Sequence, residues 1–318
     1  MPAASAPSHR LRLVAAFAAV YVIWGSTYLA IKIAIETIPP FLMAGVRFTL
    51  AGALVCGWML ARGGQPRPTF LHWRSAFIIG GLLLLGGNGL ICWAELSVPS
   101  GVAALLVATV PLWMVLLDWL LYRGPRPTWG VSAGLAIGLS GMLVLVNPST
   151  LLDEPIAPWG AAAILIACVS WALGSLYARR APLPPSGLLA AGMEMLGGGA
   201  LLIIVGLALG EAPRVNLSAI SLESALAFVY LVIFGALVGY IAYLWLLKAA
   251  TPAAVSTYAY VNPLVALLLG WGLDNETIGP RTLVAAGLIL TAVILITAKR
   301  SSRVPIAAAP ECACDGKK

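Results

Sequence analysis

The sequence predicts an all-α membrane protein of ten transmembrane helices, arranged as two inverted repeats of five. Three observations carry that expectation. Of the 318 residues 61% are hydrophobic and only 10% charged, and the mean hydropathy is +0.96. A water-soluble domain carries about 25% charged residues, because a folded surface has to present polar groups to water. The apolar residues fall into ten runs, each near the ~20 residues that cross a ~30 Å hydrocarbon core. Finally, the second half of the chain repeats the first, and five is an odd number of crossings.

The first run, at 13–35, follows His9-Arg10-Leu11-Arg12. It is longer than the apolar region of a cleaved signal, about 7–15 residues, and is read as a retained helix. The runs at 40–61, 75–95, 99–121 and 128–146 complete a first repeat over 13–146. Those at 158–178, 186–209, 222–246, 253–272 and 280–298 make a second repeat over 158–298. Each connection carries proline, glycine or charge, among them Pro39-Pro40, Gly63-Gly64, Pro125, Pro184-Pro185 and Gly279-Pro280. Proline suits a first helical turn, where its missing N–H has no partner to lose. Residues 1–12 and 299–318 remain as short tails.

Lysine and arginine orient the chain. With the N-terminus in the cytoplasm, 15 of the 19 basic residues fall in cytoplasmic segments, and the outer loops hold only Arg214 and Arg281. The outer side takes Asp153, Glu154, Glu211, Glu223, Asp274 and Glu276 instead. Both tails are therefore expected in the cytoplasm. The net charge of +7 belongs to this membrane-flanking pattern and not to a nucleic-acid partner; the expected partners are the lipid bilayer and a small-molecule solute. Cys56, Cys92 and Cys168 lie in apolar runs as small core residues. Cys312 and Cys314, without histidines, do not make a metal site, and no metal or cofactor is expected.

The repeat shows in four places. GSTY at 25–28 matches GSLY at 174–177, and AGVRFTLAGAL at 44–54 matches AGMEMLGGGAL at 191–201. Pro111 matches Pro263, and Ala133-Gly134-Leu135 matches Ala286-Gly287-Leu288. The third and eighth helices align poorly. Because each repeat has an odd number of helices, the second enters the membrane from the opposite face. Inverted repeats are a transporter architecture, since two similar halves can exchange conformations around one site.

Several stretches carry a family resemblance: IWGSTYLAIK (23–32), PPFLMAGVRF (39–48), GNGLICWAE (87–95), VPSGVAALLVATVPL (98–112), SWALGSLYARR (170–180) and STYAYVNPLVALLLGWGLDNE (256–276). Through them the chain, to about residue 298, resembles the EamA family of the drug/metabolite transporter superfamily, in its YedA-like branch. The resemblance implies a bacterial inner-membrane carrier of ten helices that exports small metabolites, amino-acid-like or amphipathic compounds, or drugs. Glu276 matches the acid that closes the ninth helix in the family. The aligned position in the first repeat is Gly124, a departure from a symmetric pair of acids.

Polar groups inside the runs are the functional candidates, because the bilayer makes them costly. Arg47 lies seven residues past Pro40, about 10 Å below the outer end. It is either a fixed positive charge for a carboxylate or phosphate of the solute, or a structural tie to Glu95 or Asn88. Glu194 is its repeat mate. It is the candidate for coupling to protons, since burial favours the neutral form of a carboxylate; the other reading is a paired, buried glutamate. Lys32 is read as reaching the outer interface or pairing with Glu36, and Asp118 as an interface residue. Pro111 and Pro263 are read as mid-helix kinks that gate. Asn262 either binds solute or satisfies a freed carbonyl. Trp24, Tyr28, Trp171, Tyr177 and Tyr258 are the aromatic residues expected to line a cavity for amphipathic solutes.

An enzyme is not expected. His9 and His72 are the only histidines, and no zinc-ligand pair, phosphate-binding loop or nucleophile elbow is present. A carrier of this kind runs on an ion gradient or the solute's own. The alternatives are an organic-anion or phosphate-sugar exchanger, drawing on Lys32 and Arg47, and a non-transporting membrane sensor. Short tails and loops leave the latter little surface for a partner.

Overall fold

The computed structural model of the chain describes residues 6–64, 66–98, 103, 106–146, 158–265 and 280–297, without the side chains of 6–8, 28, 145–146 and 282. The described residues are all helical or in turns and loops, with no strand. Helices α1 (Ala6–Ile35), α2 (Pro40–Arg62) and α3 (Phe70–Ala94) are followed by α4 (Val110–Tyr122) and α5 (Trp129–Val146). The second half gives α6 (Pro158–Ala178), α7 (Gly187–Ala208), α8 (Leu222–Ala249), α9 over 252–265 and α10 (Pro280–Thr297). Six of them, α1, α2, α3, α6, α7 and α8, are long and apolar enough to cross a membrane, and α4, α5 and α10 are shorter apolar helices. The expected fourth and ninth crossings run into 99–102, 104–105 and 266–279, outside the described residues, as do Glu276 and both tails beyond residues 6 and 297.

Local chemistry starts these helices where the sequence suggests. Pro40 takes the first turn of α2. Thr69, Ser186 and Ser221 cap α3, α7 and α8, each side-chain oxygen accepting a backbone N–H three residues on. The open N–H groups of α2 are capped from the other half: buried Glu211, just past α7, accepts from Leu42 N at 2.8 Å and Phe41 N at 3.3 Å. A carboxylate there also meets the positive end of the helix dipole.

The centre of the bundle is the crossing of α2 and α7, and it is self-complementary. A Cβ added at Gly45 would stand 2.9 Å from Ile203 N, and one at Gly192 would stand 3.2 Å from Cys56 N. Likewise Gly52 would meet Leu196 N at 2.8 Å, and Gly199 would meet Thr49 N at 2.7 Å. Position by position, the second contact of each pair is the first shifted by 147 residues in both partners. Rising numbers on α2 meet falling numbers on α7, so the helices are antiparallel and related by a pseudo-twofold axis, as in an isologous interface. Only glycine admits backbones this close.

The poorly matching third helices also repeat, in their backbone. Gly81–Gly89 within α3 and Leu231–Tyr240 within α8 are both π-helical, 150 residues apart at their starts. A π segment widens the helix, leaves its carbonyls imperfectly paired, and recurs at functional sites. Outside the core, large apolar side chains are exposed along α2 (Leu50, Leu54, Trp58), α6 (Ile166), α7 (Ile204) and α8 (Phe234). A surface of that kind requires lipid and not water around it.

Candidate functional site

Between the halves lies a cavity that offers about 90 Å³ to the centres of water-sized spheres. One water needs on the order of 10–15 Å³ on that measure, so the space takes a small solute or several waters. Its wall comes from α1, α2, α3 and α4 of the first half and α6, α8 and α9 of the second. Six of the expected residues meet here: Trp24, Arg47, Asn88, Trp171, Tyr258 and Asn262.

The polar end is built by α2 and α3. Arg47 is only 3% exposed, and its Nη2 donates to Asn88 Oδ1 at 2.9 Å. Asn88 sits in the π segment of α3 and also accepts from the Cys92 thiol at 3.7 Å. The guanidinium carbon lies 4.3 Å from the centre of the Phe48 ring, while Arg47 Nε has no hydrogen-bond partner. The tie to Glu95 that the sequence allowed is not formed. Among the described residues one ion pair exists, Arg180 to Asp118 at 3.5 Å, far from the cavity.

The opposite end is aromatic. Trp24 packs 5.5 Å from Trp171, 4.9 Å from Tyr243 and 5.1 Å from Tyr258, measured between ring centres. Tyr243 is fully buried; its hydroxyl accepts from Trp171 Nε1 at 2.8 Å and bonds Ser175 Oγ at 2.6 Å. These four rings, from α1, α6, α8 and α9, form a floor on the side where α6 and α8 end. Beyond it, Arg179 donates to Leu247 O and to Ala250 O, closing the last turn of α8. Burial lowers the Arg179 pKa, with Asp118 opposing and Arg180 adding to that fall. Arg180 also covers the Tyr122 ring and pairs with Asp118.

Glu194 does not line the cavity. It is 1% exposed, and Tyr240 Oη donates to its Oε2 at 3.2 Å. Tyr240 itself lines the cavity, so one tyrosine separates solute space from carboxylate. Tyr177 is half-buried and away from the wall; the side chain of Tyr28 lies outside the described residues. Lys32 is exposed on α1. With its amide turned to suit its neighbours, Asn262 donates to Tyr258 O at 3.0 Å and Tyr21 O at 3.2 Å, tying α9 to α1.

The two proline-bearing helices are both interrupted. Pro111 occupies the first turn of α4, after a break at 108–109 that parts it from helical residues 106–107, in the turn that a proline's missing N–H and ring disturb. In α9 the break is at 256–257, six residues before Pro263, so the two breaks do not fall at matching positions. Both occur at hydroxyl residues that bond back to their own chain. Thr109 Oγ1 donates to Leu106 O, Ser256 Oγ to Ala253 O and Thr257 Oγ1 to Ala254 O. Such bonds offer the backbone an alternative to the helical ladder, although Ser26 and Thr27 make the same bonds inside the unbroken α1. Residues flanking the breaks, Val107, Val110 and Tyr258, are in the wall.

Sequence reasoning missed Thr27, Phe48, Tyr240 and Tyr243. The last two lie in the eighth run, where the repeat gave no alignment to follow. It also missed a reciprocal cross-half contact. Trp24 Nε1 donates to Gly235 O at 3.3 Å in the π segment of α8, and Ser170 Oγ donates to Leu82 O at 2.8 Å in that of α3. A Cβ at Gly239 would stand 2.6 Å from Trp24, and one at Gly87 would stand 2.6 Å from Trp171. The first helix of each half thus seats a tryptophan on a π-segment glycine of the other.

A helical membrane protein whose two similar halves share a largely apolar cavity with a charged end has the build of a membrane transporter. The EamA-like transporter family matches twice, over residues 11–147 and 158–298, and the chain belongs to that family. The inner membrane transporter YedA of Escherichia coli (strain K12), itself uncharacterized, is 44% identical over 289 residues, covering 90% of this chain and 91% of that protein. A probable amino-acid metabolite efflux pump of Salmonella typhimurium is 27% identical, covering 90% of this chain and 96% of its own length. One crystal structure, 24% identical, superposes with a TM-score of 0.71 over 92% of this chain and 98% of that one, a likeness of fold.

Proposed function

We propose that the protein is a secondary carrier of the bacterial inner membrane, exporting small amino-acid-like or amphipathic metabolites by alternating access. On this reading the chain crosses ten times as two inverted five-helix halves, with both termini in the cytoplasm. The observation that carries it is a cavity whose wall is drawn from seven helices of both halves, beside a pseudo-twofold crossing of α2 and α7. Such symmetry gives the halves two interchangeable arrangements about one site. The relatives named as an inner membrane transporter and as a metabolite efflux pump support the direction and the membrane.

In this mechanism the aromatic floor of Trp24, Trp171, Tyr243 and Tyr258 is the cytoplasmic gate, and the π segments are the hinges on which the helices move. Glu194 takes the coupling role. It is buried, it has no basic partner within ion-pair distance among the described residues, and Tyr240 links it to the solute space. Solute counterflow in proteoliposomes tests the carrier reading; no exchange across a broad metabolite panel would favour the sensor. Glu194→Gln is expected to abolish pH-gradient-driven efflux while sparing exchange, and unchanged proton-driven efflux would remove the coupling role. For topology, a single cysteine at Asp153 should be labelled from outside intact cells, and one at Gly64 should not.

A further inference from the structure

Resting on the reading of the cavity as a solute site, and narrowing the proposed class from amino-acid-like compounds to those without an ammonium group, we infer that its substrates are monocarboxylates with an apolar or aromatic body, the carboxylate held between Arg47 and Asn88. Among the described residues Arg47 is the one charged residue in the wall. A guanidinium has five N–H donors in a rigid fork, and keeping one at membrane depth is costly unless something complements it. Within the protein the complement is partial: one bond to the neutral Asn88, a ring face from Phe48, and an Nε with nothing to donate to. Among the described residues no carboxylate lies within ion-pair distance.

A carboxylate completes this arrangement, because its two oxygens match the fork. Asn88 accepts through Oδ1 and so keeps its Nδ2 donors for the same anion. The number of charges decides among anions. One cation in the wall balances a carboxylate and leaves a phosphate dianion half-neutralised in a low-dielectric space. Amines fare worse: among the described residues the wall holds no acid, and Glu194 lies behind Tyr240. The rest of the wall, with Trp24, Trp171 and Ile91, takes an apolar body.

The test uses the purified full chain in lipid nanodiscs and five compounds that share a phenyl body. They are 3-phenylpropanoate, 3-phenylpropanamide, phenylalanine, 2-phenylethylamine and phenyl phosphate, measured by equilibrium dialysis and competition. 3-Phenylpropanoate should bind at least about tenfold more tightly than the other four, the range set by one charge-assisted bond. Arg47→Gln should remove that advantage while leaving the weak amide binding in place, which also reports a folded cavity. Arg47→Lys should restore part of it. Asn88→Asp, which pairs Arg47 internally without removing it, should abolish anion binding independently.

Equal or tighter binding of phenylalanine, the amine or the phosphate overturns the assignment. So does an anion affinity that survives both Arg47→Gln and Asn88→Asp, or no binding of any compound. Counterflow of the same set separates this from the carrier reading. Exchange of phenylalanine or the amine without the anion keeps the carrier and removes the anion site. Anion binding with no exchange of any compound keeps the site and removes the carrier.

Discussion

Arg47 and Glu194 hold the same position in the two halves, seven residues into the second helix and 147 apart, yet they meet different surroundings. Around them the halves agree to the residue: Gly45 and Gly192 repeat each other, as do Gly52 and Gly199, and each pair makes the same contact in reverse. The charges do not agree. Arg47 faces the cavity and pairs with Asn88, whereas Glu194 is shut behind Tyr240. The scaffold is thus duplicated and the chemistry is not. A twofold frame supplies two equivalent arrangements, and the residues placed on it decide what binds and what drives the exchange. On the proposed mechanism, Arg47 serves the solute and Glu194 the coupling ion, at mirrored depths.

The shared frame breaks first if the glycines are filled. Gly199→Leu would drive a branched side chain against Thr49 N and Gly45 O, at 2.7 and 3.0 Å from even a Cβ. Backbone atoms cannot step aside, so the helices must separate, at about 1–3 kcal/mol or more. The expected result is loss of monodisperse protein in detergent and a lower melting temperature. The symmetric Gly52→Leu should cost a similar amount; a stable, active Gly199→Leu would mean that the crossing is not what holds the halves together.

A smaller effect sharpens the difference between the two charged positions. In a background lacking all five native cysteines, Cys56, Cys92, Cys168, Cys312 and Cys314, a cysteine replacing Arg47 should react with a small hydrophilic thiol reagent, and one replacing Glu194 should not. Adding Tyr240→Ala to the second variant removes the residue that lines the cavity in front of position 194 and should restore reaction. Equal reactivity at the two positions without that change would erase the asymmetry.

Much of this was readable in advance, for physical reasons. Apolar run length is dictated by bilayer thickness, so the six long spans appear where the runs were. The offset of 147 at α2 and α7 was visible because close packing demands glycine at fixed positions. Burial of Arg47, Glu194, Tyr258 and Asn262 follows from the cost of polar groups in lipid. What could not be read was backbone state. Aligned from their starts, GLLLLGGNG and LVIFGALVGY match only at Gly89 and Gly239, yet both are π-helical; a wider turn is set by what packs into it from the other half, and many residues serve. Pro111 and Pro263 are conspicuous breakers in the sequence, but the break at 256–257 falls six residues before Pro263, at hydroxyl residues that the sequence does not mark as breakers. Tyr240 and Tyr243 were hidden with the unaligned eighth helix.

The π segments give the finest test, because there the two halves agree where their sequences do not. Ser170→Ala removes the donor to Leu82 O, and Trp24→Phe removes the donor to Gly235 O. Each deletion leaves a carbonyl short of one bond, worth about 1 kcal/mol, and neither removes a charge. If the segments are equivalent hinges, hydrogen exchange should quicken about fivefold across 81–89 in the first variant and across 231–240 in the second, each sparing the other segment. Trp24→Phe also alters the aromatic floor, whereas Ser170 lies outside it, so transport should fall further for Trp24→Phe at similar local loosening. Loosening of both segments by either single change would instead make the two one cooperative unit joined through α1 and α6. The duplicated frame would then move as a whole, and the asymmetry of the molecule would reside in Arg47 and Glu194 alone.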